Sequence, residues 1–253
     1  MSKHHIRILT VISCLAMAAS GATAADPTLT DQLKAASEGG KKQMPVEVQA
    51  TMAKALQSLR ESGIEGKALH RGETMPDFEL PGVDGKPVSS KALRKKGPLV
   101  ITFYRGAWCP FCNMQLHDLQ KHMGEFKAAG ATLIAISPQL PDGSLSMTQK
   151  QSLQFHVLSD AGNKTAKAFG VSYTMTPELV QVYKGFGLDL SKINGSPDWE
   201  LPLAASYVVD KAGKVAYAYV DVDYTKRAET LDLIDEVKAL KKGLIDPNGG
   251  GRY

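Results

Sequence analysis

The sequence is poor in cysteine: three residues among 253, too few for a scaffold held by several disulfides. It has no basic block. Its 30 Lys and Arg stand against 26 Asp and Glu, spread along the chain, and a net charge of +4 so distributed excludes nucleic acid as a partner. It also lacks a long hydrophobic run. The most apolar stretch, residues 8–19, falls well short of the ~20 residues that cross a bilayer, so stable membrane insertion is not expected. No internal repeat is visible. What remains, 43% hydrophobic and 22% charged residues, is a chain able to bury a core, which rules out collagenous, coiled-coil and wholly disordered classes.

Residues 1–24 read as a secretory signal. Lys3 and Arg7 supply a positive start, an apolar stretch follows, and Ala22-Thr23-Ala24 fits the small-residue cleavage rule. Val11-Ile12-Ser13 before Cys14 loosely resembles a lipoprotein box but leaves few apolar residues upstream of the cut. Cleavage near Ala24 removes Cys14, sends the mature chain to the periplasm or outside the cell, and leaves Cys109 and Cys112 as one close pair.

Residues 25–71 form a helical leader. Val48, Met52, Ala55, Leu56 and Leu59 recur at helical spacing, which predicts one amphipathic helix packed on the main domain or on a second copy in a homodimer. From residue 72 strand and helix signals alternate. Strands are expected near 78–80, 98–104, 131–137, 155–158, 205–209 and 215–220, and helices over 109–129, 143–153, 164–169 and 227–241. Leu99-Val100-Ile101-Thr102-Phe103 reads as a central strand buried on both faces, and Asp210-Lys211-Ala212-Gly213 as a hairpin turn that makes the sheet mixed. The fold class is thus α/β, a central mixed sheet with helices on both faces over residues 72–243, plus an N-terminal helical extension. Residues 244–253 form a Gly-rich, frayed tail.

The segment Tyr104-Arg105-Gly106-Ala107-Trp108-Cys109-Pro110-Phe111-Cys112 carries the chemistry. A strand ends at Tyr104, a turn containing Gly106 follows, and a helix begins near Cys109 with Pro110 in its first turn, where a missing N–H costs nothing. Helix amides and Arg105 favour a thiolate at Cys109, and Cys112 lies one turn deeper on nearly the same face. The outer thiol is expected to attack and the inner one to resolve. Zinc is disfavoured: His117 and His122, five and ten residues beyond Cys112 on one helix, do not converge with the cysteines. Covalent haem is out because Asn113 follows Cys112. A structural disulfide stays open as a reading, although so small a loop constrains little. Trp108 and Phe111 read as packing that shields the pair, His156 as a core histidine, and Ser159-Asp160 as a turn. The excursion from Met175 to Tyr183, with Trp199, either covers the site or packs on the surface.

With these residues the chain resembles the alkyl hydroperoxide reductase/thiol-specific antioxidant family, in its peroxiredoxin-like branch on a thioredoxin-like fold. The marks are Gly72-Glu73-Thr74-Met75-Pro76-Asp77-Phe78, Phe103 to Pro110, Ile136-Ser137-Pro138-Gln139, Leu158-Ser159-Asp160 and Tyr207-Val208-Val209-Asp210. The resemblance implies a thiol peroxidase, without metal or other cofactor, acting on hydrogen peroxide or organic hydroperoxides. Cys109 would become a sulfenic acid, Cys112 would close a disulfide, and a thioredoxin-like or other thiol donor would reduce it. Counted from Cys109, the family's peroxide-positioning Pro and Thr places hold Thr102 and Gly106, and its cis-proline place holds Ala204. Gly106, Trp108 and Ala204 are therefore the substrate-binding candidates, beside Arg105 as support for the thiolate. A thiol:disulfide oxidoreductase acting on protein partners is the rival enzyme reading, and a redox-inactive binding module the rival from another class.

Overall fold

A computed structural model describes residues 26–247. The expected signal at 1–24 and the end of the expected tail lie outside the described residues.

The main sheet has five strands in the order β5-β4-β3-β8-β9. β3 (Leu99–Phe103), β4 (Thr132–Ser137) and β5 (His156–Ser159) are parallel; β8 (Ala204–Val209) runs antiparallel to β3, and β9 (Val215–Asp221) antiparallel to β8. The 210–213 turn joins the last two, as the sequence predicts. Alternation along β3 explains its unbroken apolar run. Leu99, Ile101 and Phe103 enter one core with Phe169, Tyr207 and Ile136, whereas Val100 and the following Tyr104 enter the other with both cysteines, Leu116, Phe126 and Ile234. The first core is centred on aromatic contacts of Phe169 with Phe103 and Tyr207, at ring distances of 5.1 and 5.3 Å.

The second core is roofed by α4 (Pro110–Lys121), α5 (Met123–Ala129) and α10 (Thr230–Lys241). One helix was expected over 109–129, and the chain breaks it at His122, whose Nδ1 lies 2.9 Å from the Asp118 carbonyl oxygen and replaces the continuing helical bond. α6 (Pro141–Lys150) and α7 (Lys164–Ala168) fill the crossovers after β4 and β5. Short elements flank the sheet, of which the sequence marks only the strand near 78–80. These are the β1 (Glu79–Pro81)/β2 (Pro87–Ser89) hairpin, α3 (Ser90–Arg94), and an excursion of β6 (Ser172–Thr174), α8 (Pro177–Gly185), α9 (Leu190–Ile193) and β7 (Glu200–Pro202), in which β6 pairs with β7.

The leader departs from expectation. It holds two helices, α1 (Leu29–Gln43) and α2 (Val46–Glu61), then a 3-10 turn over Ile64–Lys67. Thr28 and Asp31 form a capping box that starts α1, Pro45 separates the helices, and Gly39-Gly40 dilutes the α1 pattern. Both helices pack on the main domain, α1 against α4 and α2 against α8. Leader and domain backbones approach closely at Gly170, with φ of +71°, where a Cβ would come within 2.1 Å of the Lys67 carbonyl oxygen.

Gly170→Ala is accordingly expected to lower stability by about 2 kcal/mol or more, combining a positive φ with a backbone clash. Urea unfolding checks this; a change within ~0.5 kcal/mol contradicts the close approach.

Candidate active site

β3 delivers Tyr104 and Arg105 to the end of the sheet, the chain turns through Gly106 to Trp108, and α4 begins with Cys109 as its N-cap and Pro110 in the first turn. Gly106 has φ of +146°, and a Cβ there would lie 2.4 Å from Trp108 Nε1. The structure thus gives Gly106 a steric role: it lets the indole fold back over the turn. Gln139 holds the same turn by accepting from the Ala107 N–H at 2.7 Å, and Asn113 Nδ2 donates to the Ala107 carbonyl at 2.8 Å.

Both thiols are fully buried. Cys112 collects the donors. Arg227 Nη2 lies 3.2 Å and the Arg105 N–H 3.5 Å from its sulfur, and Cys109 hydrogen-bonds to it as well. Burial alone would raise the Cys112 thiol, but the hydrogen bond from Cys109, the charges of Arg227 and Arg105 and the Arg105 amide hold it well below the ordinary thiol range. Burial and the adjacent Cys112 push Cys109 well above that range, offset only in part by Arg105 and Arg227. The contacts and charges thus favour the anion on Cys112 over Cys109. The sequence instead places the low-pKa thiol at Cys109. A helix N-terminus favours an anion, but the Arg227 guanidinium and the Arg105 amide both meet the sulfur one turn deeper.

The family's intervals can be counted from either sulfur. Thr102, seven residues before Cys109, is buried in β3, where its hydroxyl accepts from Ser206 Oγ at 3.1 Å, and Ser206 accepts from Gln115 Nε2 at 3.3 Å. It serves the sheet. Counted from Cys112, the same intervals fall on Arg105 and Cys109. Ala204 is buried at the head of β8, in register with Asp221.

Arg105 is 3% and Arg227 4% exposed. Arg105 Nη2 donates to Tyr183 Oη at 2.6 Å, and its guanidinium stacks 3.9 Å from the Tyr224 ring centre and 4.9 Å from that of Trp108. Arg227 Nη1 donates to the Tyr224 and Lys226 carbonyls. Among the described residues neither guanidinium meets a carboxylate, and Nε and Nη1 of Arg105 and Nε of Arg227 have no protein acceptor. Rings close the site: Trp108 lies edge-on to Tyr183 at 5.7 Å, and Phe111 to Tyr224 at 5.7 Å. Burial pushes Tyr224 up to about 12, so its hydroxyl keeps its proton.

The 175–199 excursion thus covers the site through Tyr183. Asp160 accepts from the Thr165 and Ala166 amides and caps α7, and His156 is half-buried on β5, its pKa lowered by burial; neither belongs to the site. Arg227 and Tyr224 escaped the sequence reading, since nothing in their local pattern sets them apart from other basic and aromatic residues. Among the described residues no three His, Cys, Asp or Glu side chains gather to hold a metal.

The charge on Cys112 sets a pH dependence. A group depressed in the folded state stabilises it increasingly from its folded pKa up to its unfolded value near 9, and contributes nothing once pH falls below the folded value. Reduced protein should therefore gain stability over Cys112→Ser as pH rises toward 9, and Arg227→Met should shrink that gain. Above 9 Cys109 opposes it, because only the unfolded thiol ionises there. Urea unfolding under reductant across pH measures this; a pH-independent difference contradicts it.

The chain is similar to known proteins in sequence and fold. The sequence profile of the AhpC/TSA family matches residues 71–218. Chloroplastic peroxiredoxin Q of Sedum lineare is 31% identical over 182 residues, covering 71% of this chain and 85% of the relative. A putative peroxiredoxin of Mycobacterium tuberculosis (strain ATCC 25618 / H37Rv) is 28% identical over 154 residues, 61% of this chain and 87% of its own. Among solved structures, the peroxidoxin BcpB of M. tuberculosis superposes with a TM-score of 0.54 at 22% identity, covering 68% of this chain and 98% of that one. A mutant of peroxiredoxin 6 of Arenicola marina gives 0.56 at 15%, covering 70% and 75%. At these identities the two structures establish the thioredoxin-like fold. With the family's profile spanning more than half its length, the chain belongs to the AhpC/TSA family.

Proposed function

We propose that this chain is a thiol-dependent peroxidase in which Cys112 is the attacking thiolate and Cys109 the resolving thiol. The observation that carries the reading is a buried Cys112 sulfur that meets the Arg227 guanidinium and the Arg105 amide, with no carboxylate on either arginine, and that is hydrogen-bonded to a second thiol. Membership in the AhpC/TSA family and the peroxiredoxin names of its relatives support peroxide as oxidant and an external thiol as reductant.

The Cys112 sulfur attacks the terminal peroxide oxygen. An S–O bond forms, the O–O bond breaks, the released alkoxide or hydroxide takes a proton, and the sulfur is oxidised by two electrons to a sulfenic acid. Arg105 Nε and Nη1 and Arg227 Nε, unpartnered donors beside the thiols, stabilise the charge that develops on the departing oxygen. Cys109 then attacks the Cys112 sulfur; an S–S bond forms, the S–O bond breaks, and water leaves with the Cys109 proton. One helical turn separates the two residues, so the disulfide closes locally. A thioredoxin-like or other external thiol supplies two electrons to restore the pair. The signal-like residues 1–24 support the further proposal that this cycle runs in the periplasm or outside the cell, after cleavage near Ala24.

The roles are separable. Cys109→Ser treated with stoichiometric hydrogen peroxide should trap a sulfenic acid on Cys112, seen as a dimedone adduct by peptide mass spectrometry. Sulfenate that forms instead on Cys109 in Cys112→Ser, with Cys109→Ser inert, reverses the roles. Failure of both variants and of the wild type to react faster than a free thiol overturns the peroxidase reading.

A further inference from the structure

The residues 222–229 join β9 to α10 and carry two groups of the thiol site, Tyr224 and Arg227. Internal bonds set the shape of this loop. Asp221 Oδ1 accepts from the Asp223 N–H at 2.7 Å, Asp223 Oδ1 from the Thr225 N–H at 3.0 Å, and Arg227 Nη1 bonds to two carbonyls within the loop itself. These bonds fix Arg227 relative to its own loop, and Tyr224 ties the middle of the loop to Phe111 of α4 and to Arg105.

The leader grips the loop at both ends. At its entry the Val222 N–H donates to Glu65 Oε1 at 2.8 Å, and at its exit Glu229 Oε1 accepts from the Thr30 N–H at 2.7 Å. Glu65 sits in the 3-10 turn that ends the leader and Thr30 in the first turn of α1, so the two grips come from opposite ends of one segment. The Thr30 N–H is one of the first-turn donors a helix cannot satisfy internally, and a carboxylate suits that terminus. Each helix between the grips also lies against an element of the site. α1 packs on α4, which carries Cys112, and α2 packs on α8, which carries Tyr183. Met52 and Leu56 of α2 close a cavity of about 30 Å³ over Arg105, Tyr183 and Tyr224.

We propose that Glu65 and Glu229 are positioning residues: the leader clasps the 222–229 loop at both ends and so holds the Arg227 guanidinium against the Cys112 thiolate. The inference rests on Cys112 being the anionic thiol, and it makes the leader a working part of the site.

The test uses the full chain with Cys14→Ser and Cys109→Ser, so that thiolate absorbance at 240 nm reports Cys112 alone. Replacing both carboxylates, Glu65→Ala with Glu229→Ala, should shift the titration midpoint upward and slow the reaction with hydrogen peroxide roughly tenfold, as expected when a charge-stabilising group loses its placement. Glu65→Gln with Glu229→Gln keeps an oxygen acceptor for both N–H groups and should keep the midpoint. An unchanged midpoint in the alanine pair, whatever its melting temperature, overturns the proposal. If that pair does not fold, each single alanine variant is read in the same way. A wild type inert to peroxide, with the midpoint still shifting in the alanine pair, would sink the peroxidase reading and leave the clasp standing.

Discussion

The structure is organised around a buried thiolate. Removing an ion of that size from water costs several kcal/mol even after the protein relaxes, so it persists only where donors and opposite charge are already in place. Cys112 has both: Arg227 at 3.2 Å, the Arg105 amide at 3.5 Å, and the hydrogen bond from Cys109. The arrangement leaves a positive excess. Two guanidiniums face one thiolate, and three of their N–H donors meet no protein acceptor. A disulfide carries no charge, so reduction restores the anion that the cations need. Stabilising the reduced state in this way makes a disulfide more oxidising and easier for an external thiol to reopen.

Each part of the fold contributes one piece of that charge balance. β3, buried on both faces, fixes Tyr104 and Arg105. The turn through Gly106 admits Trp108, and Pro110 starts α4 so that both sulfurs fall within one helical turn. The excursion after β6 supplies Tyr183 to Arg105, and the β9–α10 loop supplies Arg227. Tyr183, Trp108 and Tyr224 surround Arg105 with aromatic faces and a hydroxyl instead of a carboxylate. Cation–π contact holds a desolvated guanidinium without neutralising it. An acidic partner there would have cancelled the field at the sulfurs.

The sequence showed the frame more readily than the charge. The continuous apolar run of β3, the Asp210 to Gly213 turn and the thiol pair at a helix start are local patterns, and local patterns are what periodicity and turn chemistry report. The leader was half legible: the α2 stripe stood out, whereas the capping box of Thr28 and Asp31, the sign of α1, passed unread. Which cysteine ionises was not legible. The helix start and Arg105 pointed to Cys109, but the deciding cation, Arg227, lies 115 residues from Cys112 and reaches it only through the sheet and the closing loop. The excursion ending at Tyr183 was legible as a cover, but not its bond to Arg105, 78 residues away. The peroxide-positioning places fall on Thr102 and Gly106 when counted from Cys109, and on Arg105 and Cys109 when counted from Cys112.

The location of the negative charge is the central claim, and NMR of the reduced wild-type chain labelled with 13C at cysteine Cβ reads it without altering either thiol. The Cys112 resonance should titrate well below the ordinary thiol range, while that of Cys109 stays in the protonated position until well above it. A Cys109 resonance that titrates first, with Cys112 protonated through neutral pH, would contradict the account.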